Sequence, residues 1–153
     1  MRRKLQPNRG ERGQTIIEFA LIAPMIFLFL FTIVDFGIAI DRRLVLQHAA
    51  REGARYAAVH TTAADIQQKT ADQAQDIIAA ADVTVCYLDG DDANSSVGDP
   101  GDSARVSALF TYDLAIVGPV LSGLFGGSVT SIDMTPSGTA RLERSVGGAT
   151  PCP

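Results

Sequence analysis

The feature that most constrains this chain is an apolar stretch over residues 14–40, "QTIIEFALIAPMIFLFLFTIVDFGIAI". From Phe19 to Val34 every residue except Pro24 and Thr32 is apolar. A helix of this length rises about 1.5 Å per residue and reaches roughly 40 Å, which is enough to cross a bilayer. Apolar side chains surround the whole helix, which favours burial in lipid or in a helix bundle. The stretch predicts one membrane-spanning helix.

Charge is distributed unevenly on either side of this stretch. Residues 1–13 carry five basic side chains and one acidic one, whereas residues 14–153 carry eight basic and sixteen acidic ones. An acidic bulk argues against nucleic acid as a partner, because phosphate binding requires clustered lysine and arginine. The basic head suits the cytoplasmic flank of a membrane helix. Four arginines also follow the apolar stretch, so charge alone orients the helix only weakly (Arg42, Arg43, Arg51, Arg55).

Three segments follow from composition. Residues 1–13 combine two glycines, a proline and many charges, which predicts a disordered basic leader. Residues 14–60 form the membrane-spanning helix and its continuation as a stalk, because residues 41–60 are rich in alanine and contain no proline. Gly53 is the weak point of that stalk, since glycine costs up to about 1 kcal/mol relative to alanine in a helix.

Residues 61–153 are predicted to form a small exterior α+β domain. An amphipathic helix over roughly 63–81 begins with a capping box between Thr62 and Asp65. The uncharged connection over 114–127 is too short to span a bilayer and is read as a packed loop or a short helix, in reach of the membrane surface. Four stretches have the β-branched or alternating pattern of strands in one antiparallel sheet (83–88, 104–114, 128–134 and 138–144).

The two cysteines, Cys86 and Cys152, leave two alternatives open. They lie in no CxxC motif and beside no cluster of histidines, so they do not indicate a zinc site. A chain directed to a membrane favours a disulfide, and closing a loop of this length stabilises a fold by about 4 kcal/mol. The second alternative is a pair of free thiols.

No catalytic, cofactor or metal motif is found in the sequence. The loop over 89–102 holds five aspartates, but Ala93 and Asn94 stand where a calcium loop needs an acid or asparagine and then glycine. A solvated hairpin loop is therefore favoured over a calcium site. Motifs for phosphate binding, serine nucleophiles and zinc hydrolases are missing as well. The sequence predicts a chain that is not an enzyme and needs no cofactor.

Glu18, at the start of the apolar stretch, has two interpretations. It could complete a capping box with Thr15 at a helix start. Alternatively it needs a cationic partner, yet no lysine or arginine lies between Gly13 and Arg42. A cut after Gly13 would create one, because the new α-amino group of Gln14 would have an unperturbed pKa near 8.

Asp35, near the outer end of the apolar stretch, also has two interpretations. It could lie at the membrane interface without a specific contact. It could instead contact an assembly partner, because acids within membrane segments are usually paired.

The stretches "RGQTIIEFALIAPMIFLFLFTIVDFG" (12–37), "LQHAAREGARYAA" (46–58) and "TPSGTARLE" (135–143) carry a resemblance. A basic leader ending in glycine, with glutamate fifth after the cut and a long apolar helix beyond, resembles the signal of type IV pilins. In detail the chain resembles the TadE-like family, minor pseudopilins of tight-adherence (Tad/Flp) pilus systems. The resemblance implies a pilin-like α+β fold and an acid before Phe-Gly, here Asp35, among the assembly residues.

The resemblance also implies how the chain is processed, where it is located and what it binds. A prepilin peptidase would cut between Gly13 and Gln14 on the cytoplasmic face, and Glu18 with Phe19 would serve processing and subunit docking. The mature chain would be a single-pass protein of the cytoplasmic membrane with its C-terminal domain outside. Its partners would be the lipid bilayer, other pilin or pseudopilin subunits and the Tad-type assembly platform, at the base or tip of a pilus. The alternative is an uncleaved membrane anchor that carries a ligand-binding or wall-binding domain.

Overall fold

The computed structural model describes residues 9–90, 96–126 and 131–153. A long helix at the N-terminus is followed by two shorter helices and two antiparallel sheets. This arrangement confirms the predicted α+β fold. The elements after the long helix pack along its C-terminal half, so that helix is at once a candidate membrane span and part of the domain core.

Helix α1 covers Arg9–Ala57, a run of 49 residues with Pro24 inside it. The helix starts earlier than predicted. Residues 9–13 are helical, whereas the whole of 1–13 was expected to be disordered. Two glycines in those five residues weaken the helix, but each added residue still gains a backbone hydrogen bond once the helix exists. Residues 1–8 lie outside the described part of the chain. The helix ends at Ala57, where the amides of Val59 and His60 both turn back to the carbonyl of Tyr56.

Helix α2, Ala63–Gln73, is shorter than the predicted 63–81. Gln75 and Asp76 follow it with φ values of 54° and 62°, and two successive residues in the left-handed region cannot continue a right-handed helix. A single 3-10 turn, Ala80–Asp82, then leads into the first strand. The predicted capping box is wrong, because the Thr62 side chain makes no capping hydrogen bond.

The first sheet has three strands in the order β1–β2–β5, with β1 at Val83–Leu88, β2 at Ser103–Ala108 and β5 at Ser137–Arg141. Both pairings are antiparallel. The C-terminal tail adds a short parallel bridge on the free edge of β1. Tyr87 donates its N–H to the Thr150 carbonyl at 2.9 Å and accepts the Cys152 N–H at 3.0 Å.

The second sheet has two strands, β3 at Phe110–Asp113 and β4 at Ser131–Met134. One sheet and one strand over 104–114 were predicted, so both expectations need correction. The strand is interrupted at Leu109, whose N–H donates to the Asp82 carbonyl at 2.9 Å instead of extending either ladder. Leu109 itself is 55% exposed. The residues after it, Phe110–Asp113, pair with Ser131–Met134 instead of continuing the first sheet.

Helix α3, Val117–Phe125, lies between the two strands of the second sheet in the chain. It ends at Gly126, whose φ of 65° is the left-handed conformation common after a helix. Of the two alternatives predicted for residues 114–127, the short helix is the one found. It contacts α1, the predicted membrane helix.

The main core forms where α2 and the three-stranded sheet cover the outer half of α1. Small residues of α1 are fully buried there, and larger ones from the other elements fill the space between them. Ile66 of α2 and Val106 of β2 are both inaccessible to solvent. The small apolar residues that α1 contributes to this core are Ala49, Ala54 and Ala57.

Candidate functional site along the N-terminal helix

The predicted cleavage and docking residues lie at the start of α1. Gln14, Glu18 and Phe19 are all exposed on the helix surface. In the uncleaved chain the helix already begins at Arg9, so Thr15 and Glu18 lie well inside it and do not form its first turn. The capping-box interpretation of Glu18 therefore does not describe this form of the chain. Its role in processing and docking stays a prediction.

The apolar part of α1 between these residues and Asp35 has no covering from its own chain. The helix is long and apolar enough to cross a membrane, and none of its most apolar stretch is buried. Large side chains such as Phe29, at 68% exposure, face outward. Apolar surface on this scale normally marks contact with lipid or with other protein chains.

Asp35 is fully buried, in contrast to its neighbours on α1. Its Oδ2 atom accepts hydrogen bonds from the backbone N–H groups of Ile116 at 3.1 Å and Val117 at 2.8 Å. Among the described residues, none bonds the buried Oδ1 atom. The structure thus gives Asp35 a partner inside its own chain, although the sequence had suggested either no specific contact or a separate assembly partner.

The partner of Asp35 is the start of helix α3. The first N–H groups of any helix lack acceptors within the helix, and the helix dipole places partial positive charge there. Ile116 is the N-terminal capping residue of α3 and has no polar side chain for the task. Asp35 replaces the missing cap from 81 residues away in sequence. The sequence analysis did not predict this contact. The one local feature that could have pointed to it is the uncharged run that begins at Leu114, because such a run can pack next to the apolar part of α1.

A small apolar cluster lies next to this contact. Tyr112 and Met134 of the second sheet pack against Ala39 of α1. Burial raises the pKa of Tyr112, the nearby charge of Asp35 raises it further, and Arg42 opposes both. A cleft of about 410 Å³ opens beside the cluster, between α1 and the chain from Ile132 to Ser137. The second sheet therefore extends the domain along α1 toward the apolar end.

Two glycines set how closely the domain approaches α1. A Cβ atom on Gly53 would overlap the Oγ1 atom of Thr70 and lie 3.1 Å from its Cβ atom. A Cβ atom on Gly138 of β5 would lie 2.5 Å from the carbonyl oxygen of Ala50. The glycine that sequence reasoning treated as a weak point of the stalk is therefore the site where α2 packs on it.

The two cysteines form a disulfide between β1 and the C-terminal tail. The predicted bridge is present, and Cys86 and Cys152 have Cα atoms 4.9 Å apart. This disulfide is not all that holds the C-terminal tail. Its backbone hydrogen bonds to Tyr87 show that pairing with β1 fixes it as well.

Asp102 organises the described part of the acidic loop. Its carboxylate accepts N–H groups from Gly90 at 3.0 Å, Gly98 at 2.8 Å and Asp99 at 3.0 Å. The bonds from Gly90 and Asp99 lower the pKa of Asp102, burial opposes them, and the bond from Gly98 adds a smaller lowering. The loop's residues at 91–95, where the calcium pattern fails, lie outside the described residues. Across 9–90, 96–126 and 131–153, no group of three or more histidine, cysteine or acidic residues could hold a metal ion.

Comparison with known families bears on α1. The family model described as TadE-like protein matches residues 13–55. This segment is similar to the TadE-like family. The match confirms the N-terminal part of the resemblance seen in the sequence and runs from the predicted cleavage site almost to the end of α1. It does not include the stretch at 135–143. No curated protein and no solved structure matches the chain. The TadE-like match makes the chain a candidate component of a Tad pilus system. Among the described residues, α1 is the one helix long and apolar enough to cross a membrane.

Proposed function

We propose that this chain is a minor pseudopilin of a Tad/Flp-type pilus. It is inserted in the cytoplasmic membrane with the domain over residues 61–153 outside, and a prepilin peptidase cuts it between Gly13 and Gln14. Through α1 it then packs with other pilin or pseudopilin subunits, and with the Tad-type assembly platform, at the base or tip of the fibre. Its work is binding and assembly and involves no catalysis.

One observation carries this proposal: the TadE-like match coincides with a helix whose inner half is apolar and wholly uncovered. A bilayer can cover that surface before assembly, and the equivalent helices of other subunits can cover it afterwards. Both coverings are apolar, so the transfer between them requires no change in the chain's own fold.

Glu18 gives the transfer its specificity in this proposal. An acid near the membrane edge costs less than the roughly 3 kcal/mol of an acid at the centre, but it still favours a cationic partner. After cleavage, the α-amino group of Gln14 lies four residues before Glu18, on the same face of the helix. The amine of a neighbouring subunit can take the same place in a packed bundle, which would set the axial position of one helix against the next.

A second candidate is an uncleaved membrane anchor with an exterior binding domain. The observation that favours it is the continuity of α1 from Arg9 through Gly13. In that case the basic leader would remain as the cytoplasmic end of the anchor, and Glu18 would have no amine beside it.

The deciding experiment is the N-terminal residue and the intact mass of the protein extracted from membranes. A chain that begins at Gln14 supports the pseudopilin, and a chain that begins at Met1 supports the uncleaved anchor. Gly13→Asp should block the cut, because the peptidase subsite is expected to accept only a minimal side chain. Gly10→Asp is the matched control, with the same substitution three residues earlier, and should be processed normally.

Docking is tested separately with Glu18→Ala. The variant should insert in the membrane and fold but should no longer co-purify with its partner subunits. Glu143→Ala, at an exposed acid of the exterior domain, is the control and should assemble like the natural chain. Unchanged assembly of the Glu18 variant would remove this residue from the docking contact.

A further inference from the structure

The apolar surface of the chain does not end with α1. No charged residue occurs from Leu114 to Gly126, a range that contains the whole of α3. Ile116 is 37% exposed and Val120 is 42% exposed, whereas Val117 is buried against the rest of the protein. Helix α3 therefore presents an apolar face that no described part of the chain covers.

The bond to Asp35 sets the height of this face along α1. The twenty residues from Thr15 to Val34 rise about 30 Å in a helix, which is the thickness of the hydrocarbon core of a bilayer. Asp35 follows them directly, and it holds the first residues of α3. The start of α3 is thus fixed at the outer edge of the predicted span.

The next basic residues place the membrane boundary beyond Asp35. Arg42 is the first lysine or arginine after Arg12, and it lies about 10 Å farther along α1 than Asp35. Between them α1 still exposes large apolar side chains, among them Phe36 and Ile40. Arginine side chains extend toward the headgroups, so the outer interface lies between Asp35 and Arg42. Helix α3 begins on the membrane side of that interval.

We propose that α3 lies in the outer interface of the bilayer as a second membrane contact, held at its depth by Asp35. This face contacts the boundary between lipid headgroups and acyl chains, because Asp35 holds the start of α3 against α1 at the outer edge of the predicted span. The helix carries no basic residue, so attraction to anionic headgroups plays no part and contact area alone drives the binding. This contact is independent of whether the leader is cleaved.

The same geometry explains how a buried acid is tolerated at this depth. Asp35 is shielded from lipid on all sides, and the N-terminal end of α3 supplies two donors and a favourable dipole. Without α3 the carboxylate would face acyl chains. Without Asp35 the first amides of α3 would lack acceptors in a medium that has little water.

The test uses the full chain reconstituted at low protein-to-lipid ratio in phosphatidylcholine vesicles. A fluorescent label is attached at Val120→Cys on α3, and in separate samples at Phe29→Cys within the span and at Ala64→Cys on α2. Lipids that carry a quencher on their acyl chains are then added. Phe29→Cys gives the response of a lipid-facing site, and Ala64→Cys, which is exposed near the start of α2, gives the response of an aqueous site.

A label on α3 that is quenched in the manner of the span label supports the proposal. A label that behaves like the one on α2 overturns it. If the α3 label is quenched at low protein-to-lipid ratio and loses this quenching at high ratio, the single chain contacts lipid and the proposal is still supported. Shielding that appears only at high ratio, without quenching at low ratio, assigns the face to a second copy and also overturns it.

Asp35→Ala tests whether the hydrogen bonds to Asp35 hold α3 in place. The variant should retain the disulfide and the thermal unfolding of the main core, since the core lies farther along α1, but the α3 label should lose its quenching or become heterogeneous. Asp113→Ala is a matched control, because this exposed acid lies on the strand that precedes α3 and does not bond to it. Undiminished quenching in Asp35→Ala would refute the role of Asp35 in setting the depth of α3.

Discussion

The two halves of α1 have the same backbone and opposite surfaces. From Gln14 to Val34 the helix carries bulky apolar side chains that are exposed, whereas from Ala49 to Ala57 its buried residues are all alanine or glycine. The exposed apolar side chains of the first half and the buried ones of the second half also differ in size. Large flexible side chains suit a fluid neighbour that can fill the gaps between them, and small ones suit a rigid neighbour whose backbone can approach closely.

The stability of the outer half, around Ala49–Ala57, therefore depends on the exact shape of its side chains. The inner half, Gln14–Val34, needs only that its side chains be apolar. Loss of one methyl group from the inner half leaves lipid to fill the space. Addition of one methyl group to the outer half meets atoms that are already in place. The following predictions test that difference, from the largest expected effect to the smallest.

Cys86→Ala together with Cys152→Ala should affect only the outer half. Removing a bridge across this sequence separation should lower the free energy of unfolding of the exterior domain by about 4 kcal/mol. Thermal unfolding in detergent would measure the loss. Hydrogen exchange at residues 20–34 in lipid should be unchanged, and faster exchange there would show that the two halves are not independent.

Gly138→Ala should lower the free energy of unfolding by about 2–3 kcal/mol, because the added Cβ atom meets the backbone of Ala50 and Arg51, which cannot rotate away. Denaturant unfolding of the exterior domain is the measurement. Gly147→Ala is the control, since a Cβ atom there meets nothing within 4 Å. Equal stability of the two variants would contradict the close packing of β5 on α1.

Gly53→Ala and Gly37→Ala make the same change on the same helix and should have opposite effects. At Gly53 the new methyl group displaces Thr70, which should cost about 1–2 kcal/mol even though that side chain can adjust. At Gly37 nothing lies within 4 Å, so the variant should gain up to about 1 kcal/mol from helix propensity. Thermal unfolding of both variants in one detergent compares them directly, and effects of the same sign would abolish the distinction.

The smallest effect concerns pH and the loop at Asp102. The folded pKa of this residue is lowered, so its ionised form stabilises the fold above its unfolded pKa of about 3.9, and that stabilisation is lost as the pH falls through the folded pKa. Asp102→Asn should therefore be less stable than the natural chain at pH 6, with a difference that shrinks below about pH 4. Unfolding curves at several pH values would show this, and a difference independent of pH would exclude the linkage.

The sequence predicted elements wherever one local pattern dominated. Strand β1 has the predicted bounds, and α1 is continuous because apolar residues and then alanines favour a helix throughout. The end of α2 was missed, since Gln75 and Asp76 are neither glycine nor proline and their positive φ values are imposed by the surrounding fold. The break at Leu109 was missed because it depends on a bond to the Asp82 carbonyl.

The candidate site shows the same limit. Glu18 and Asp35 stand out in the sequence because each is an acid in an apolar stretch, and the role of Glu18 stays a prediction. The partner of Asp35 could not be found that way, since the amides of Ile116 and Val117 carry no side-chain signal and lie more than eighty residues away. The packing role of Gly53 was hidden for the same reason, because it depends on Thr70 of another helix.

The disulfide has a consequence for the order in which the chain matures. Cys86 and Cys152 enclose β2, β3, α3, β4 and β5, so in the proposed orientation the bridge can form only after all of these elements have crossed to the oxidising side of the membrane. In that orientation, an oxidised bridge therefore indicates that the whole domain has been exported. A chain held part-way through translocation would keep both thiols reduced, would lack the tail's contact with β1, and would remain open to proteolysis.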